Sequence, residues 1–487
     1  MRRRQTKIWP ARPDNKQMLV LIIKDTYYSG PMRSFLYSKV HDVFFAGLIV
    51  ILFGVMFAPV QAAVLKLPHR LHRLPNGLTV VLVRYPSRGV IAYQIPVRVG
   101  SRNEVDQGKT GFAHFFEHLM FRGTKNMSAE EFRDTYNRHG CENNAWTSND
   151  LTNYHGLVSK SYLPIILKAE ADRFQNLHFE EKALKDEAGA VLGEYNKNAA
   201  QPDFLIEEAL AETAFTKHTY GHTTMGYKAD IEKYTERYKD VWPFFKRYYR
   251  PDNTSVILVG DIDFNSHLAM VKNYFGGWKS EKIDPVEIPT EPEQTAQREK
   301  TILVDVPTQS RVVVAYKTPS FDTENLNQAI VDIISEAYFS KTSDFQKEYR
   351  FNKKWLDDVT AYAVDSIDPG LWQLYLRFSE AGEGHIQEVG QAVDAQIKRL
   401  SESPLPDSQL SSVKKRLRNY ATVSWFGSPE ALAAKIAWYV SFERDLGVLD
   451  RIFDNIDKVT AEDILQYSKK YLLPRYRTII TLKGNSV

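Results

Sequence analysis

A chain of 487 residues with 25% charged and 43% apolar residues describes an ordinary globular protein of two to four core units. The net charge of +3 hides an asymmetry: residues 1–62 hold nine Lys/Arg and three Asp/Glu, leaving 54 basic and 57 acidic residues, about −3, and no basic face for nucleic acid. One cysteine, Cys141, excludes an intrachain disulfide and reads as a buried inert thiol.

The first element is an uninterrupted apolar run, Val43 to Ala58, preceded by Arg33 and Lys39 and followed by Val60-Gln61-Ala62. Sixteen residues are short for a spanning helix, and the small-x-small ending is that of a signal-peptidase site. Cleavage after Ala62 and a periplasmic mature chain are expected; an uncleaved inner-membrane anchor is the alternative.

Next comes His114-Phe115-Phe116-Glu117-His118. At 3.6 residues per turn, positions 114, 117 and 118 share one helix face, so both imidazoles reach one cation and the carboxylate stays within a water's reach of it. The order is the reverse of H-E-x-x-H, the inverzincin signature, in which the Glu takes a proton from the attacking water. Zinc is the expected ion and peptide-bond hydrolysis the expected reaction. Apolar neighbours on both sides, Gly111-Phe112-Ala113 and Leu119-Met120-Phe121, seat the helix in a core.

Glu142 to Leu157 alternates polar and apolar residues and reads as a strand. Phe179 to Asn198 reads as a helix carrying Glu187 and Glu194 two turns apart, about 10.5 Å along the axis. Both share a face, but they cannot easily bind one ion, and periodicity does not choose between them. Tyr248-Tyr249-Arg250-Pro251 with Thr254 to Gly260 is echoed by Lys470-Tyr471-Leu472-Leu473-Pro474 with Thr478 to Gly484, which predicts a duplicated unit. A Pro/Glu/Thr-rich stretch over 281–299 reads as the linker between residues 63–280, which hold the metal motif, and residues 300–487.

With these motifs in place, the chain resembles the pitrilysin/insulinase family of zinc metallopeptidases, in the short-subunit form similar to mitochondrial processing peptidase. Leu74-Pro75-Asn76-Gly77-Leu78, Val99 to Glu104, Gly111 to Thr124, Asn144 to Tyr154, Tyr220-Gly221-His222, Tyr249 to Asn253 and Val259-Gly260-Asp261 carry the likeness. The resemblance implies an α+β fold of two homologous halves, each an antiparallel-rich sheet with packed helices, together forming half of a clamshell. It implies one Zn2+ per chain with Glu194 as third ligand, Glu187 as a supporting acid, and a peptide substrate laid along a sheet edge at Asn144 and Ala145. For Asn144, turn capping is the alternative.

Family members also carry an Arg and a Tyr in the second half. Here Phe345 to Arg350 and Asp358 to Tyr362 depart from that spacing; Arg350 and Tyr362 are the stand-ins, with a surface Arg and a strand Tyr as the alternative. A heterodimer with a same-family chain that supplies the Arg and Tyr is therefore expected, or else a homodimer. The competing class is a non-catalytic, substrate-holding subunit.

Overall fold

The runs TVVLVR and SVILVG form β2 (Thr79–Arg84) and β6 (Ser255–Gly260), buried along their length apart from Arg84. Strands enclosed on both faces read as unbroken apolar sequence rather than alternation. In the computed structural model, which describes residues 65–281 and 283–485, the two lie side by side and parallel. With β1 (His69–Arg73), β3 (Val90–Val97), β4 (Glu142–Thr147) and β5 (Thr152–Ser159) they make a sheet ordered β1-β2-β6-β3-β5-β4, antiparallel at every other pairing. The Val43–Ala58 run and the expected cleavage point after Ala62 lie outside the described residues. Among the described residues no helix is long and apolar enough to cross a membrane.

Glu142 to Leu157 is not one strand but a hairpin. Ser148 Oγ accepts from the amides of Asp150 and Leu151, and Ser148 N–H donates to Leu151 O at 2.8 Å, so the polar Ser-Asn-Asp run turns the chain. β4 is left as the sheet's edge, with Thr147 opposite Thr152.

Helix α1 (Phe112–Leu119) starts at Gly111, whose φ of +80° suits glycine and where a Cβ would lie 2.1 Å from Met225 O. Phe112, Phe115, Phe116 and Leu119 enter the core beneath the sheet. The buried Glu104 carboxyl group accepts from Gly111 N at 2.6 Å and Ala113 N at 2.7 Å, giving the free amides of the first turn their acceptors. Helix α2 (Glu181–Asn198) turns Leu184, Ala188, Val191 and Glu187 inward.

Five further strands, β7 (Arg298–Pro307), β8 (Arg311–Thr318), β9 (Leu356–Ala363), β10 (Gly370–Phe378) and β11 (Arg477–Asn485), form a second sheet ordered β7-β11-β8-β10-β9. Only β7 and β11 pair in parallel. This repeats the β2-β6-β3-β5-β4 portion of the first sheet strand for strand, so the fold is α+β with two homologous, antiparallel-rich halves.

Each sheet is covered, on the face opposite its own helices, by a helix from the other half. Val81, Val83, Ala92, Ile257 and Val259 of the first sheet pack on Leu432, Ala433, Ile436, Ala437 and Val440, which belong to the helix Pro429–Glu443. Val313, Ala315, Leu371, Ile480 and Leu482 of the second pack on Ile206, Ala209 and Leu210 of α3 (Pro202–Ala214). The described residues of the stretch 278–297, which leads into the second sheet, have no regular structure, but the stretch is strapped down: the Glu291 carboxylate accepts from the amides of Thr216, Lys217 and His218.

Candidate metal centre

Once the phenylalanines of α1 are buried, the rings of His114 and His118 turn to the side facing α2. Their Nε2 atoms stand 3.3 Å apart, and Glu194 Oε2 lies 3.6 Å from His118 Nε2 and 4.0 Å from His114 Nε2. Among the described residues these three side chains are the one group of His, Cys, Asp or Glu whose donor atoms converge in this way. Three atoms bound about 2.0–2.1 Å from one ion at tetrahedral angles stand about 3.3 Å apart, so the donor set fits zinc.

Glu187 settles the tautomer of one ring. Its Oε1 lies 2.8 Å from His118 Nδ1, which puts the proton on Nδ1 and the lone pair on Nε2; Arg122 forms an ion pair with the other carboxylate oxygen. Burial, then the neighbouring His118, presses the pKa of His114 down to about 3. Its Nδ1 is buried without a partner. The two rings thus face each other nitrogen to nitrogen beside a carboxylate, an arrangement that a cation between them would satisfy.

Glu117, buried, is raised above the usual carboxylate range by desolvation, against the hydrogen bond from Thr147 and the nearby His118. Thr147 Oγ1 donates to its Oε2 at 2.6 Å. Among the described residues its Oε1 has no hydrogen-bond partner, and it is not sealed from solvent, so it is free to meet a water.

The description "Insulinase (Peptidase family M16)" matches residues 79–228, which contain every residue of this cluster, and "Peptidase M16 inactive domain" matches residues 236–417. The chain belongs to the insulinase family. It is similar to the zinc protease PqqE of Helicobacter pylori, 27% identical over 85% of this chain and 93% of that protein. It is also similar to the beta subunit of the mitochondrial-processing peptidase of Saccharomyces cerevisiae, 23% identical over 86% and 91%. The crystal structure of a protease from Helicobacter pylori superposes with a TM-score of 0.79, at 27% identity over 86% of this chain and 99% of that one. Relatives named zinc proteases support a peptidase function and suggest zinc as the metal.

In this insulinase-family chain the residues expected on the substrate side are dispersed. Asn144 is exposed on the β4 edge and accepts from Ala145 N at 2.9 Å, while Ala145 packs against the core on the opposite face. Tyr362, at the end of β9, enters a cavity of 510 Å³ shared by Asp150, Glu207, Gln373 and Trp438, and its OH donates to Gln373 at 3.4 Å. Arg350 is not among the residues lining that cavity; it donates to Gln346 Oε1 at 3.0 Å and stands 4.0 Å from Asp358.

Sequence reasoning did not single out Thr147 or Glu104. The first was legible from the period-two rule, which sets Thr147 on the same strand face as Ala145. The second reads only as one acidic residue ahead of a helix, and its capping contact depends on the loop that brings it back.

Proposed function

We propose that this chain is a zinc-dependent endopeptidase that hydrolyses peptide bonds in short or unfolded peptides, with one zinc per chain held by His114, His118 and Glu194. The observation that carries this reading is the convergence of those three donor atoms beside the buried carboxylate of Glu117. Zinc, when bound, supplies a Lewis acid that polarises the scissile carbonyl and acidifies water. Glu117 accepts the proton of the attacking water at Oε1 and delivers it to the leaving amine. Glu187 keeps the His118 proton on Nδ1. The unpaired edge of β4, at Asn144 and Ala145, takes the peptide as an added strand through main-chain hydrogen bonds that are largely indifferent to sequence.

A second reading, a zinc-bearing subunit that cleaves only with a same-family partner supplying the substrate-binding Arg and Tyr, draws support from the separation of Arg350 from Tyr362's cavity. A homodimer is the simpler assembly. The division into a peptidase half over 63–280, a linker over 281–299 and an inactive homologous half over 300–487 belongs to the same reading. So do export through the Val43–Ala58 run and a periplasmic address. The test is metal content together with cleavage of a quenched fluorescent peptide library, beside a Glu117→Gln variant. Zinc near one per chain with cleavage lost in the variant supports the enzyme. Bound zinc without cleavage by either protein points to the partner, and absence of zinc binding sinks the catalytic reading.

A further inference from the structure

Among the described residues the carboxylate of Glu117 is held by one protein hydrogen bond, and it comes from the strand that offers its edge beside the proposed metal cluster. Thr147 is the last residue of β4, and its hydroxyl proton has two acceptors within reach: Glu117 Oε2 at 2.6 Å and Thr152 Oγ1 at 3.4 Å. Thr152, fully buried and opposite Thr147 in the hairpin register, spends its own proton on Val99 O at 2.8 Å. A hydroxyl has one proton and two lone pairs, so this chain of bonds has one direction: Thr152 donates to the main chain, and Thr147 is left to donate to the carboxylate, the stronger acceptor. The hairpin turn fixes the backbone of Thr147 through Ser148 N–H to Leu151 O at 2.8 Å, and β-branching restricts its χ1.

We propose that Thr147 is the positioning residue for Glu117: its hydroxyl clamps Oε2 so that Oε1 faces the attacking water, and it ties the aim of the base to the seating of β4. The inference rests on the endopeptidase reading for its kinetic consequence, though not for its geometry. A peptide adding to the β4 edge would stiffen the strand that carries the clamp, so substrate docking and alignment of the base share one element. A displacement of about 1 Å in a reacting group costs roughly 100-fold in rate, which sets the scale of the effect.

The experiment compares Thr147→Val, which keeps the shape and removes the hydroxyl, with Thr147→Ser, which keeps the hydroxyl and removes the methyl. Zinc content, melting temperature, steady-state kinetics on a cleaved library peptide and a crystal structure of the zinc-loaded protein are read for each. The expected result is that Thr147→Val lowers kcat by about 10- to 100-fold with KM and zinc content unchanged, and that its Glu117 carboxylate leaves the wild-type position. Thr147→Ser is expected to restore both kcat and the carboxylate position. Equal losses in both variants would assign the effect to packing and overturn the proposal, as would a rise in KM alone or a carboxylate that stays in place in Thr147→Val. If the wild-type chain cleaves nothing, the endopeptidase reading has failed, and the carboxylate position in the two crystal structures still decides whether Thr147 holds Glu117.

Discussion

The sheet portions β2-β6-β3-β5-β4 and β7-β11-β8-β10-β9 share strand order and the one parallel pair, yet the helices that follow their third members differ in chemistry. The first α-helix after β3 presents His114 and His118. The first after β8, α4 (Asn327–Ile334), has Gln328 and Asp332 at the same i, i+4 spacing, and there the Gln328 amide donates to Asp332 Oδ1 at 3.2 Å. One pair converges on a third donor from a second helix; the other is joined by a hydrogen bond between its own members. The frame is fixed by apolar faces that both halves keep, so the polar residues on these two helices were free to diverge without changing the fold. In the proposed reading, metal chemistry hangs on a few side chains of one half, while stability belongs to both.

The largest expected effect tests the first of those statements. Glu117→Gln keeps the size of the side chain and removes the base, and it is expected to lower kcat by about 100- to 10,000-fold while zinc stays near one per chain. Both are read on the same preparation by peptide cleavage and metal analysis. Retained cleavage would show that the carboxylate on α1 is not the base. Next in size, Glu187→Gln is expected to weaken zinc binding by about 10- to 100-fold, because it loosens His118 without removing a donor. Competition with a chelating dye measures this, and an unchanged affinity would dismiss Glu187 as a support.

What was legible in the sequence follows the same division. His114-Phe115-Phe116-Glu117-His118 marked a helix with two imidazoles and a carboxylate on one face, because its periodicity is local. Glu187 and Glu194 were not separable by periodicity, since two turns leave them on one face. The packing of α2 against α1 distinguishes them, bringing Glu187 to His118 Nδ1 and Glu194 to the paired Nε2 atoms. The repeat of β6 in β11 was readable from TSVILVG and TIITLKG, whereas the hairpin at Ser148 was hidden within an alternating run. The exchange of covering helices could not be read at all. The sequence of Pro429–Glu443 is apolar on nearly every side, which says that the helix is buried but not against which sheet.

That exchange predicts how the chain comes apart. Ile436, fully buried against the first sheet although it lies far along the second half, is expected to cost about 2–5 kcal/mol when cut to alanine. Because its helix closes the first sheet while α3 closes the second, the loss should move one shared urea transition followed by circular dichroism and tryptophan fluorescence. Two transitions, with only the later or only the earlier one shifted, would mean that the halves unfold independently and that the reciprocal covering does not couple them.

The smallest effect probes the non-metal counterpart. Burial, then the adjacent Asp365, raises Asp332 from its ordinary 3.8 to about 7, against the Gln328 hydrogen bond and the charge of Lys435. Asp365 is itself pushed up to about 6 by burial, against the hydrogen bond from Tyr439 and the charge of Lys435. For an acid whose folded pKa lies above its unfolded one, the proton is bound in both states below pH 3.8. From there to about pH 7 only the folded chain keeps it, so stability falls as pH rises through that window and levels off above it. Asp332→Asn imitates the protonated acid, can still accept from Gln328, and should flatten that part of the slope while zinc content and kcat remain those of the wild type. Chemical denaturation at intervals from pH 4 to 8 measures the two curves. If they run parallel, Asp332 does not carry a folded-state proton, and the Gln328–Asp332 pair is an ionised contact rather than a neutral one.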